Sequence, residues 1–354
     1  MKNVDNLFVR PGDMVCQVVE TIQIGAVGIA LVVDEDRRLI GTITDGDVRR
    51  AVLSDVKMSD NVGKLFDHRS EPYQKPTVAS VGATVDELLQ LMQERSLRQI
   101  PLLDNEGRVV ELALLTELVE DDRFMLSAVV MAGGFGKRLQ PATDQVPKPM
   151  LPLKGRPLME RTIEQLRKAG IDQVFVTTHY KPEVITNHFH DGREFGVDIQ
   201  YVNETEPLGT AGALGLIDEQ DHTSLVINGD ILTQLDFRTM LDFHQAHKAV
   251  MTVGIRKYEF QIPYGVVETD GVSITHLIEK PAHSCFVNAG IYLLEPVVYR
   301  YISGGSHFDM TDLIDCLLKN GQPVIGFPIQ EYWLDIGQPD DYQQAMKDTE
   351  SGTI

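Results

Sequence analysis

The hydrophobic positions of this chain fall into two regimes. In the first part, amphipathic stretches such as Met14 to Ile24 and Val85 to Gln93 lead into an apolar run, an acidic turn and a second apolar run. The turns read DEDRR (34–38) and DNEGR (104–108), and the two copies superpose at an offset of 70 residues, with Val15 over Val85, Asp34 over Asp104 and Gly41 over Glu111. The pattern predicts a repeated unit of helix, strand, turn, strand and helix. From Ser127 onward, strand-like runs alternate with helical ones: SAVVMAGG, PLMERTIEQLRKAGI, QVFVTTH, the segment 181–189 and DIQYVNE. Such alternation predicts an α/β domain whose mixed, mostly parallel sheet is covered on both faces.

Between the regimes lies EDDRF (120–124), short, charged and without apolar periodicity, as a domain junction should be. The expected domains are 1–122, with repeats at about 8–58 and 76–122, and 126–350. A length of 354 residues, with 43% of them hydrophobic, suits two cores better than one.

The repeats resemble cystathionine-β-synthase-type (CBS) domains, two of which pack as one module. The first copy carries the better match in GTITDGDVRRAVL (41–53). The resemblance implies that Thr44 and Asp47 contact the ribose of a bound adenosine nucleotide, although the same pair suits a helix cap. In the second copy Glu111, Leu114 and Glu117 replace the glycine, the hydroxyl residue and the aspartate, so at most one nucleotide site is expected.

Ligands of parallel sheets sit beyond the carboxyl ends of the strands, so motifs that follow strands come first. After SAVVM come Ala132, Gly133, Gly134, Phe135, Gly136, Lys137 and Arg138, and then the proline-punctuated PKPMLP (147–152). Glycines let backbone N–H groups approach an oxyanion, and Arg138 and Lys148 supply cations, together making a phosphate cradle. A dinucleotide fingerprint lacks its third glycine, because Leu139 stands there. A Walker loop fails because Lys137 is followed by Arg138. The strand SLVIN runs into Asp230, and EYWLDIGQPDDY (331–342) places Asp335 before a glycine. Two converging carboxylates would suit Mg²⁺ in a reaction between polyanions.

Charge narrows the partners. With 52 acidic against 32 basic side chains, the net charge of -20 repels a nucleic-acid backbone over most of the surface. Phosphates must then be met by local cations, backbone N–H groups or a metal ion. Cys16, Cys285 and Cys316 lack zinc-site spacing and read as reduced thiols. No apolar segment reaches spanning length, and the expectation is a cytoplasmic homo-oligomer that contacts no membrane.

From about Ser127 to Tyr342 the sequence resembles the sugar-phosphate nucleotidyltransferases, which include mannose-1-phosphate guanylyltransferases and glucose-1-phosphate thymidylyltransferases. The resemblance implies a Rossmann-like fold and the joining of a nucleoside triphosphate to a sugar 1-phosphate, with release of pyrophosphate. By position, Arg138, Lys148, Asp230 and Asp335 are catalytic, and the two aspartates hold Mg²⁺. Ala132, Gly133, Gly134 and Gly136 bind the nucleotide, and EPLGTAGAL (206–214) reads the base through Pro207, Leu208, Gly209 and Thr210. Gly265 of YGVV, Glu279 of EKP and Asn288 of NAGIY address sugar hydroxyls, while Lys280 meets the sugar phosphate. PKPMLP and WLDIGQPDDY look closer to guanylyltransferases, which favours GTP, and the CBS pair resembles enzymes that activate glucosamine 1-phosphate or a related sugar for surface glycans. Thymidylyl, uridylyl or cytidylyl transfer stays open, as does an adenine-nucleotide sensor with a non-catalytic transferase-like module. The end at Ile354 leads one to expect neither a C-terminal β-helix nor an acyltransferase domain.

Overall fold

The computed structural model describes residues 4–54, 56–67, 75–95, 97–118, 126–218, 220–302 and 304–354. Two compact units divide the chain, Met1–Arg123 and Phe124–Ile354. The expected EDDRF junction lies outside the described residues.

In the first unit, helix Val15–Gly25 leads to the antiparallel strands Ile29–Val33 and Leu39–Thr44 and then to helix Asp45–Leu53. The second copy repeats this with Val85–Arg95, Gln99–Leu103, Val109–Leu114 and the short helix Leu115–Leu118. Each copy also has a two-residue strand that the sequence pattern did not predict, Phe8–Val9 and Ala79–Ser80, laid parallel to its first long strand. The copies meet at their acidic turns, where Leu39 N–H donates to Gly107 O at 3.0 Å and Val109 N–H to Arg37 O at 3.1 Å. They share a core in which Leu31 and Val33 pack with Val109 and Leu114.

The second unit is built on a seven-stranded sheet, its strands numbered here in chain order: β1 Ser127–Met131, β2 Gln173–Thr178, β3 Asp198–Asn203, β4 Ser224–Asn228, β5 Met251–Gln261, β6 Ala282–Leu294 and β7 Val324–Pro328. Their order is β3-β2-β1-β4-β6-β5-β7, and only β6 runs antiparallel to its neighbours. Consecutive side chains of one strand reach different cores: Ala128 and Val130 join one face, Val129 the other, and all three are fully buried. This is why these strands read as unbroken apolar runs.

Helix Leu158–Ala169 covers one face by burying Leu158, Met159, Thr162, Ile163 and Leu166, and Gly170 stops it at φ 87°. The chain leaves β1 toward β2 on one side while β4 lies on the other. The crevice beyond the carboxyl ends of β1 and β4 is therefore the topological switch point where ligands of such sheets bind.

Candidate active site

Three pieces of the structure converge beyond β1 and β4, the third built from two chain segments. The glycine-rich loop leaves β1 and turns at Gly136, whose φ of 62° favours glycine. A Cβ there would also lie 2.9 Å from Thr143 Cγ2 and 3.3 Å from Lys148 Cβ, so the loop folds back tightly onto the PKP turn. Lys148 opens the 3₁₀ turn Lys148–Met150, bracketed by Pro147 and Pro149. The third piece is a ribbon in which Ile231–Thr233 pairs antiparallel with Trp333–Asp335, setting Ile231 opposite Asp335. Ile336 N–H then donates to Asp230 O at 3.1 Å.

A small satellite core anchors all three. It buries Leu139, Leu151, Leu232 and Ile336, the near sequence neighbours of Arg138, Lys148, Asp230 and Asp335. Each polar side chain thus projects from backbone pinned by an apolar neighbour.

The result is a compact charge cluster. The Lys148 ammonium, on a side chain only 10% exposed, bonds Asp230 Oδ2 and lies 3.9 Å from Asp335 Oδ1. Burial pushes the Asp335 carboxyl above its ordinary range; Asp230 and Asp341 push the same way, and Lys148 and Arg138 oppose them. Asp230 Oδ1 and the neighbouring Asn228 Oδ1 are buried without a hydrogen-bond partner among the described residues. A buried carboxylate oxygen without a partner is costly, and a bound cation would satisfy it. Two carboxylates with an orphan oxygen fit a Mg²⁺ that keeps waters and takes its remaining ligands from substrate phosphates. Among the described residues no group of three or more His, Cys, Asp or Glu forms a closed metal cage.

The loop expected to read the base is held by partners that the sequence did not reveal. Gly209, at φ 78°, packs so closely that a Cβ would lie 2.6 Å from Asp309 Oδ1 and 2.8 Å from Phe308 O. Asp309 Oδ1 accepts from Thr210 N–H at 3.0 Å, and Thr210 Oγ1 accepts from Met310 N–H at 2.8 Å. Thr210 therefore spends its hydroxyl on the start of helix Met310–Lys319, and Pro207 stays exposed beside buried Leu208. Glu204, just past β3, accepts from Leu208 N–H at 3.0 Å, and its Oε1 lies 2.5 Å from where a Gly133 Cβ would stand. This carboxylate joins the 206–214 loop to the glycine-rich loop, with Ala132 buried and Gly134 open beside it.

The sugar-binding candidates divide. Asn288 Oδ1 accepts from Gly290 N–H at 3.0 Å, and a Cβ on Gly290 would meet Asn228 Nδ2 at 2.6 Å, which ties this turn to the strand leading to Asp230. Gly265 and Glu279 lie together on an exposed projection, a Cβ on Gly265 coming 3.1 Å from Glu279 Oε2, with Lys280 next to them at φ 46°. Among the described residues the Glu279 and Lys280 side chains make neither a hydrogen bond nor an ion pair with each other or with the carboxylate cluster. His188 lies near the end of helix Pro182–Phe189, 3.1 Å from Glu160, as a structural residue. A cavity of about 560 Å³ lined by His244, Lys248, Glu295 and Arg300 opens at the opposite, amino-terminal edge of the sheet.

In the first unit, Thr44 and Asp47 form a reciprocal helix cap. Asp47 Oδ2 accepts from Thr44 N–H at 2.8 Å, and Asp47 Oδ1 accepts from Arg50 at 2.7 Å. Asp47 is 5% exposed. Both of its oxygens already have partners within the chain.

A doubly wound sheet with a glycine-rich loop, a buried lysine and two carboxylates at its switch point defines an α/β protein of the class whose ligands sit beyond the strand ends. The chain belongs to the family described as Nucleotidyl transferase, which matches residues 127–352, and CBS domains match residues 2–54 and 70–120. The chain is 37% identical over 243 residues to a UTP–glucose-1-phosphate uridylyltransferase of Synechocystis, a match covering 63% of each chain. It is 34% identical over 235 residues to a mannose-1-phosphate guanylyltransferase of Mycobacterium tuberculosis, covering 64% of this chain and 65% of that one. The chain thus spans just under two thirds of the length of these relatives. A D-glycero-α-D-manno-heptose 1-phosphate guanylyltransferase of Aneurinibacillus thermoaerophilus matches over 98% of its length at 34% identity, covering 63% of this chain. Among solved structures, HddC from Yersinia pseudotuberculosis superposes with a TM-score of 0.51 at 26% identity, covering 64% of this chain and 100% of that one.

Proposed function

We propose that the second unit transfers a nucleotidyl group from a nucleoside triphosphate, GTP favoured, to a sugar 1-phosphate of the glucosamine or mannose type, giving an NDP-sugar for surface glycans and pyrophosphate. The observation that carries this reading is that the ribbon setting Ile231 opposite Asp335 brings Asp230 and Asp335 to the same lysine, Lys148, with the glycine-rich loop alongside. No nucleophilic side chain is required. A sugar 1-phosphate oxygen is itself the nucleophile, attacking the α-phosphorus in line while pyrophosphate leaves from the opposite side.

Positioning and charge neutralisation then supply the catalysis. Arg138 stabilises the α-phosphate and the departing pyrophosphate, Lys148 holds phosphate oxygens, and Lys280 meets the sugar phosphate. Asp230 and Asp335 would hold Mg²⁺, which supplies neutralising charge to the phosphate oxygens. The loop from Pro207 to Thr210 frames the base, with Glu204 fixing its distance from the cradle. Support for GTP comes from the PKPMLP and WLDIGQPDDY segments, from the relatives named guanylyltransferases and from a structure of HddC complexed with GMP-PN. A matrix of four nucleoside triphosphates against several sugar 1-phosphates, read as pyrophosphate release, tests the reading. GTP should give the highest kcat/KM, and release from no combination would refute it.

Lys280→Ala should mainly raise KM for the sugar phosphate, by the equivalent of about 1.5–3 kcal/mol for a lost hydrogen bond to a charged group. A change confined to the KM of the nucleotide would remove Lys280 from this role.

An adenosine nucleotide at Thr44 and Asp47 is proposed with at most one site per chain, since the second copy carries Leu114 and Glu117 in their places. Binding must compete with the cap bonds described above, and it can alter activity only by preferring one state of the protein. Calorimetric titration of the full chain with AMP is expected to show no more than one site. Asp47→Ala should abolish that site and cost about 1 kcal/mol of helix capping, seen as a lower melting temperature. Two equivalent AMP sites would overturn the proposal.

A further inference from the structure

We propose that Lys148 serves as an internal stand-in for the divalent cation. In the ligand-free chain its ammonium neutralises the paired aspartates, and an arriving metal displaces it toward the phosphate cradle. This inference rests on the metal reading of Asp230 and Asp335 given above.

The geometry is unequal in an informative way. The ammonium bonds Asp230 Oδ2 but stays 3.9 Å from Asp335 Oδ1, so it compensates one carboxylate well and the other poorly. Asp230 Oδ1 is buried and has no hydrogen-bond partner among the described residues. One positive charge facing two carboxylates leaves a net negative charge, which a dication would cancel. The lysine thus restrains two like charges from repelling each other while leaving the pair attractive to a stronger cation.

The stem permits the exchange. Lys148 Cβ lies 3.3 Å from where a Gly136 Cβ would stand, so the side chain starts against the glycine-rich loop and reaches from there to the carboxylates. Rotation about its side-chain bonds moves the ammonium between the two positions while the proline-bracketed turn stays fixed. Displacement delivers a cation to the cradle as the metal takes the carboxylates. Metal binding and phosphate binding then favour each other, which is reciprocal coupling between neighbouring sites.

The test measures binding of Mn²⁺ alone to the full, nucleotide-free chain by electron paramagnetic resonance. Lys148→Met keeps the length of the side chain and removes its charge, and it should bind Mn²⁺ about tenfold tighter or more. Arg138→Gln removes a neighbouring charge that makes no ion pair among the described residues, and it should gain no more than about threefold. Unchanged or weaker binding by Lys148→Met, or an equal gain in Arg138→Gln, overturns the stand-in role. Absence of Mn²⁺ from every variant and from the unaltered chain instead overturns the metal site itself.

A second measurement needs no variant. In the unaltered chain, acylation of Lys148 by a small anhydride, followed by peptide mass spectrometry, should speed up several-fold at saturating Mn²⁺ as the ammonium leaves its ion pair. An unchanged or slower rate would contradict displacement.

Discussion

Asp230→Asn is expected to reduce turnover by about three orders of magnitude or more, since the loss of metal-held charge at a phosphoryl centre costs several kcal/mol. The amide keeps the shape of the side chain but gives up the carboxylate that both bonds Lys148 and presents a buried, unpartnered oxygen to the site. The variant also leaves Lys148 in a half-filled pair. Breaking a buried pair costs about 3–5 kcal/mol when no partner remains, and nearby Asp335 should hold the loss to about 1–3 kcal/mol. The chain therefore still folds, with a lower melting temperature. Steady-state kinetics with thermal unfolding on the same preparation check both parts. Near-normal turnover at ordinary Mg²⁺ would remove Asp230 from the reaction.

Asp335→Asn should lose at least about a hundredfold in turnover, on the scale of removing one preorganised electrostatic contact, yet differ from Asp230→Asn in stability. Burial and the neighbouring Asp230 raise the Asp335 carboxyl, so the folded chain binds that proton more readily than the unfolded chain does. Protonation at this position favours folding. The contribution is greatest at low pH and is lost as pH rises through the raised folded-state value, leaving an ionised group that costs stability near neutrality. With its side chain 48% exposed, solvent screening limits that cost to about 1 kcal/mol or less. The ligand-free asparagine variant should thus melt at the same temperature as the unaltered chain, or up to about 3 °C higher, at pH 7. The advantage should vanish below about pH 4, where the unaltered carboxyl is protonated as well. A clear drop in melting temperature at pH 7 would show that Asp335 stabilises the fold instead.

The two aspartates also show what a linear sequence can and cannot display. Each was legible alone, because each follows an apolar run and precedes or adjoins a glycine, the place where a sheet presents ligands. That one lysine lies between them was not legible, because the ribbon setting Ile231 opposite Asp335 joins segments far apart in the chain. The repeated helix–strand–strand–helix units were readable because amphipathic and apolar runs alternate at fixed spacing. Their flanking strands, Phe8–Val9 and Ala79–Ser80, were not, since two residues carry no periodicity.

Glu204 illustrates a different loss. In NETEP it looks like Glu206, and only the fold turns Glu204 inward to Leu208 and Gly133 while Glu206 stays exposed. Asp309 was equally hidden, because its partner Thr210 lies 99 residues away. Thr44 and Asp47 were read from the sequence as either cap or ribose contacts. Their mutual bonds show the cap plainly, because the i to i+3 spacing at a helix start satisfies both backbone donors locally.

Nucleotidyl transfer of the kind proposed moves the α-phosphorus of the nucleotide onto a sugar phosphate and leaves the β- and γ-phosphates as pyrophosphate. The most direct measurement follows phosphorus labels: the full chain is incubated with Mg²⁺, a sugar 1-phosphate and GTP labelled at either the α- or the γ-phosphate, and the products are separated. The α-label should appear in the nucleotide-sugar and the γ-label in pyrophosphate, with both transfers lost in Asp230→Asn. Release of the γ-label as inorganic phosphate, or transfer of the γ-label to the sugar, would contradict the proposal.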